Sequence, residues 1–225
     1  MPLLYLLLVF QTGIVLTGAA VRITGSGLGC PTWPECTYGS YVPVAGQAEG
    51  AFHAWIEFGN RLLTFLLLFA AVAVVIYAIK KARRDLLWRA LLQVLGIFGQ
   101  GIIGGITVLT KLNPISVSAH FVLTLPLIAG ALALRHRVLD RPVVSLKPMT
   151  RKLTITVTTL TFIVLLFGVL VTGTGPHAGD AQAKRYPFNF QAVSILHADF
   201  VIALICLTIA LYLVVKVSED SNINK

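Results

Sequence analysis

The stretch HAWIEFGNRLLTFLLLFAAVAVVIYAI, residues 53–79, decides the fold class. It is an apolar run longer than the roughly 20 residues that carry an α-helix across a bilayer, with all of its charge gathered near one end. Working outward, runs of the same kind lie at 3–21, 86–109, 116–134, 153–173 and 191–215, which gives six expected spans. Composition agrees. The 225 residues are 56% hydrophobic and 12% charged, with mean hydropathy +0.84. Soluble domains carry about 25% charged residues, so a soluble globular domain is excluded and an all-α integral membrane protein is expected. The first run lacks a basic leader and precedes five more spans, so it reads as an uncleaved helix.

The net charge of +9 is unevenly placed. Lys80, Lys81, Arg83, Arg84 and Arg89 fall in one connection, and Arg135, Arg137, Arg141, Lys147, Arg151 and Lys152 in another. The alternate connections carry only Arg22, Lys111, Lys184 and Arg185. That asymmetry marks the basic loops as cytoplasmic and puts both termini on the same side of a cell membrane. The basic excess therefore orients a multi-pass protein, and no nucleic-acid partner is expected. The expected organisation is a four-helix bundle over 1–135 with an outer loop at 22–52, and a basic cytoplasmic loop at 136–152. A partial second bundle at 153–215 and the polar tail 216–225 follow.

An internal echo supports the division. ITGSG at 23–27 and VTGTG at 171–175 each follow an odd-numbered span and open a long outer loop, as a repeated helical unit would. If the unit has four helices, the second copy holds half of it.

Ionisable and polar groups within spans are costly and mark function by default. Here they are Glu57, Asn60 and Arg61 in the second span, His120 in the fourth, and His197 and Asp199 in the sixth. Asn60, His120 and His197 lie at similar depths from the outer ends of their helices. Histidines so placed read either as haem-iron ligands or as hydrogen bonders between helices. Glu57 and Arg61 are four residues apart, which suits an intrahelical ion pair and equally an acid/base or substrate-positioning carboxylate. Cys30 and Cys36, in GCPTWPEC, read first as a structural disulfide in an oxidising compartment; a redox-active pair is the sharper alternative. Cys206 reads as a small packing residue. Gly96, Gly99, Gly101, Gly104 and Gly105 in the third span allow close helix packing, or room for a flat macrocycle against bare backbone.

TGSGLGCPTWPEC (24–36), IEFGNRLLTF (56–65), SAHFVL (118–123), GTGPHAGD (173–180) and LHADF (196–200) together resemble the haem A synthase family. The resemblance implies an eight-helix fold of two four-helix halves. It implies oxidation of the C8 methyl of haem O to the formyl group of haem A, with a b-type haem passing electrons. It also implies that His120 and His197 are haem-iron ligands, that Glu57 is the catalytic acidic residue near the reacting methyl, and that Asn60 and Arg61 position the ring or its propionates. Asn60 stands where the family has its first histidine, and the last two helices of the family have no counterpart after the sixth span. The implied partners are membrane lipid, haem O, an electron donor, haem O synthase and further copies of the chain. The alternatives are a non-catalytic haem-binding or oxidase-assembly membrane protein, and a membrane thiol oxidoreductase using Cys30 and Cys36.

Overall fold

The computed structural model describes residues 2–139 and 145–223. Residues 140–144 of the basic loop, with Arg141, and residues 224–225 of the tail lie outside the described residues. Seven helices are described: α1 (Pro2–Ile23), α2 (Ala51–Lys80), α3 (Arg84–Leu109), α4 (Pro114–Val122), α5 (Thr124–Val138), α6 (Pro148–Thr174) and α7 (Phe190–Ile223). Six segments among them are long and apolar enough to cross a membrane, α4 and α5 together forming one, Pro114–Val138. The protein is all-α, as its hydropathy predicts.

The fourth span differs from the unbroken helix expected at 116–134. It is interrupted at Leu123. Pro126 supplies the reason: it has no N–H to give the Val122 carbonyl, and its ring crowds the preceding turn. The Thr124 hydroxyl adds a local bond at the break by donating to the His120 carbonyl at 3.0 Å. At the other end of α4, Asn113 is the N-cap, its Oδ1 accepting the Ile115 N–H at 3.0 Å, and Pro114 takes the first helical position, where no N–H is needed. His120 thus sits on a short helix fixed by a cap before it and a proline break after it. The last helix also departs from expectation, continuing past residue 215 to Ile223.

The chain packs as two compact units. One holds the described residues up to 139 together with Pro176–Arg185; the other holds 145–175 and the residues from 186 onward. In the first unit α1 packs on α2 and α5, and α3 packs on α2, α4 and α5. Leu7, Leu86, Ile97 and Leu134 are fully buried there, beside Ala71, Ala90 and Ala131. Small side chains at these positions let helix backbones approach, which is where association energy comes from when lipid competes for every apolar contact. Outward, Leu16, Phe65, Phe69 and Phe98 stay exposed, as lipid-facing residues must. The second unit is the α6–α7 pair, with Phe167 and Phe200 meeting at 5.1 Å between ring centroids.

One polar contact in the first unit has no counterpart among the expected intramembrane groups. Gln11 of α1 donates through Nε2 to Gln93 Oε1 of α3 at 2.6 Å, and Gln93 donates through Nε2 to the Leu127 carbonyl of α5 at 3.1 Å. Both amides are buried. Gly130 makes the space, since a Cβ there would lie 2.6 Å from Gln93 Nε2. The pair therefore ties three helices. Gln93→Leu, which leaves Gln11 buried without its acceptor, is expected to cost about 1–2 kcal/mol, and Gln11→Leu in the same chain to return most of it. Equilibrium unfolding in detergent of the two single variants and the double variant reads this directly.

Candidate functional site

The loop between α1 and α2 is built around the Cys30–Cys36 disulfide, S–S 2.09 Å, with both cysteines fully buried. Two features hold it on α2. Gly29 lies against the first turn of the helix, where a Cβ would stand 2.2 Å from the His53 carbonyl oxygen, so no larger residue fits. Beneath it, Glu57 Oε2 accepts the Cys30 N–H at 2.7 Å, while Oε1 accepts Arg61 Nε at 3.1 Å and Nη2 at 2.6 Å. The intrahelical ion pair that the spacing allows is formed. Its reach exceeds the helix: Arg61 also donates to the carbonyls of Cys30 (2.8 Å), Thr32 (3.0 Å) and Glu35 (3.1 Å). Burying one charge requires its partner and enough hydrogen bonds to replace water, and the loop backbone supplies them.

Around this clamp lie contacts that sequence reading does not find. Ser26, fully buried, shares a hydrogen bond with His53 Nδ1 at 2.9 Å, which employs the histidine nearest the helix end. The Trp33 indole rests on Gly105 of α3, where a Cβ would be 2.4 Å from its Cδ2. Gly27 donates its N–H to the Gly179 carbonyl at 2.8 Å, and Leu112 packs with Ala178 and Ala183, so the segment Pro176–Arg185 joins the same loop cluster. Within that segment Arg185 closes the turn by donating to the carbonyls of Ala183, Pro176 and Asp180.

The expected site residues are distributed as follows. Glu57 and Arg61 are together in the clamp. Asn60, on the adjacent stretch of α2, has its Oδ1 accepting the Thr17 hydroxyl of α1 at 2.6 Å. His120 makes no side-chain hydrogen bond among the described residues; its Nδ1 is buried without a partner, and its ring lies on Gly104, where a Cβ would be 3.4 Å from Cε1. In the second unit, His197 repeats the arrangement on Gly168, where a Cβ would be 3.3 Å from Cε1, and its Nδ1 is again buried and unpartnered. Each histidine thus has one ring nitrogen buried without a partner among the described residues and its Cε1 edge against a glycine. Among the described residues no three His, Cys, Asp or Glu side chains gather as they would around a protein-ligated ion. A haem would need from the chain only an imidazole such as His120 or His197 to hold its iron, not a cluster of side chains. At Gly101, on the same face of α3 as Gly104, a Cβ would meet nothing within 4 Å, so a flat ring held by His120 would find uncovered backbone there.

Fold and site together define a multi-pass helical membrane protein with a histidine within a span in each of its two units and, in the first, a disulfide-closed loop. Residues 2–181 match the model of the cytochrome oxidase assembly protein family, and the chain belongs to that family, which is also that of the haem A synthases. It is 31% identical to the haem A synthase of Geobacillus kaustophilus over 119 residues, covering 52% of this chain and 36% of that one. Against the haem A synthase of Shewanella oneidensis it is 33% identical over 159 residues (64% and 47%), and against that of Macrococcus caseolyticus 29% over 163 residues (68% and 53%). The matches thus span between about a third and a half of these curated relatives. No solved structure matches the chain.

Removing the guanidinium tests the clamp. Arg61→Ala leaves Glu57 without its countercharge and frees the Cys30, Thr32 and Glu35 carbonyls, and is expected to destabilise the loop by about 3 kcal/mol. Limited proteolysis should then cut residues 31–49 much faster than in the parent chain, with Glu57→Gln intermediate because it keeps an acceptor for Cys30.

Proposed function

We propose that this chain is a haem A synthase-like oxidoreductase that takes haem O and oxidises its C8 methyl to a formyl group, a net four-electron oxidation that balances with dioxygen as oxidant, the carbon gaining one oxygen atom and its two hydrogens leaving with the other as water. The observation that carries the reading is the His120 imidazole, unpartnered on the bare backbone of α3. His120 holds the iron of the substrate haem, and His197 that of a b-type haem in the second unit. Bound iron supplies the redox chemistry; the chain fixes which edge of the ring is presented and what surrounds it.

The division of labour among the other residues follows from their partners. Glu57 would serve as the acidic residue toward the reacting methyl; both its oxygens anchor the loop, so its first effect is to set the loop's position. Arg61 completes that anchor, with Nε, Nη1 and Nη2 all donating to Glu57 or to loop carbonyls, so it positions the ring through the loop it holds. Asn60, held by Thr17, positions the ring rather than ligating it, since amides are weak ligands for haem iron. The membrane is the cell membrane with both termini cytoplasmic, and haem O synthase, an electron donor and a second copy of the chain are the partners this activity calls for.

One observation favours a second reading, that of a haem-binding or oxidase-assembly protein without the oxidation: Glu57 and Asn60 are both engaged by protein partners. Burial of both sulfurs speaks against the thiol oxidoreductase. Haems extracted from membranes containing the chain and supplied with haem O separate these cases. The expected products are haem A or its hydroxylated intermediate, both lost in His120→Ala. Bound haem O recovered unchanged moves the assignment to the second reading, and haem retained by His120→Ala with His197→Ala removes the ligand assignment.

A further inference from the structure

Gly101, Gly104 and Gly105 share one face of α3, three and four residues apart. Each has a different neighbour. Gly104 carries the His120 ring, Gly101 faces open space, and Gly105 carries Trp33, whose Cδ2, Cε2 and Cγ would lie 2.4, 2.6 and 2.8 Å from an added Cβ. The indole is therefore pressed on the helix backbone along its fused edge while 40% of the residue stays exposed. Its seat is fixed from both sides. Arg61 holds the carbonyls of Thr32 and Glu35, the Thr32 hydroxyl donates to the Glu35 carbonyl at 2.9 Å, and the disulfide closes the turn. A large aromatic side chain held this firmly, yet incompletely buried, beside an unpartnered imidazole and an open glycine, is placed to meet a flat ligand.

We propose that Trp33 is a positioning residue for haem. It forms the loop-side wall of the space at Gly101 and sets where the macrocycle lies when His120 holds its iron; this rests on the haem reading above. Gly105 serves the same end, because only glycine admits the indole. The loop thereby bears on the haem through one side chain.

A double-mutant cycle tests the coupling in a His197→Ala background throughout, so that only the first unit can take haem through a span histidine, using haem b titrated into the purified chain, with affinity and the position of the main haem absorbance band as readouts. Trp33→Ala is expected to weaken haem b by about tenfold or more and to shift the band, as loss of a surrounding contact does at metal centres. Gly105→Ala, which displaces the indole, should do the same in the parent chain and add nothing in Trp33→Ala. Trp33→Phe should recover most of the affinity. Helical content and the disulfide mass are checked in each variant; if Trp33→Ala loses either, Gly105→Ala and Trp33→Phe carry the test. An unchanged affinity and spectrum in Trp33→Ala, or a Gly105→Ala effect of equal size with and without Trp33, overturns the proposal while leaving the haem reading intact. Haem b bound equally well by His120→Ala overturns both.

Discussion

A guanidinium within a membrane span has to be satisfied by protein, and here that requirement organises one whole end of the first unit. Arg61 reaches Glu57 on its own helix and the carbonyls of Cys30, Thr32 and Glu35 beyond it. An ion pair alone would answer the charge but leave donors dry, and the loop carbonyls alone would answer the donors but not the charge. With both, α2 and the disulfide loop become one body. Everything placed by that loop, Trp33 above all, inherits the precision of a helix instead of the freedom of a long connection.

Glycine has a second use in this molecule besides helix approach. On α3, Gly96 receives Leu127, Gly104 receives His120 and Gly105 receives Trp33, while Gly99 and Gly101 receive nothing. The helix is thus a keyed surface whose missing side chains are occupied by residues from three other elements. In the second unit Gly168 receives His197 in the same manner. The shared contact joins the third and fourth spans in the first unit and the fifth and sixth in the second, so it does not follow the register of the two TG-x-G segments, which pairs the fifth span with the first.

How much of this is legible in the sequence depends on how local the signal is. Span positions are written in hydropathy over about 20 residues, and the Glu57–Arg61 pair and the Cys30–Cys36 bridge join residues close in the chain, so all three can be read directly. The break at Leu123 has its signal too, in Pro126, but the apolar run conceals it because proline is tolerated within membrane helices. The Gln11–Gln93 bond joins positions 82 apart, and neither amide stands out alone. The Trp33–Gly105 contact is equally non-local, and the GxxxG at 101–105 suggests helix packing where one glycine instead takes a loop side chain and the other faces open space. Arg61's further partners are backbone carbonyls, which carry no residue signature at all. Residue type and depth suggest ligand roles for His120 and His197; what the fold adds is the unpartnered, buried Nδ1 of each.

The segment Pro176–Arg185 belongs to the first unit although it follows α6 in the chain, and Arg22, Gly27 and Leu112 are among the points to which it attaches. During biosynthesis the ribosome must therefore deliver the fifth span before the loop cluster of the first unit can be finished. Until then Leu112 and the Gly27 amide wait without their partners. A nascent chain halted before α6 holds its early helices in the bilayer with that loop cluster incomplete, so insertion order sets the time at which the cluster is finished.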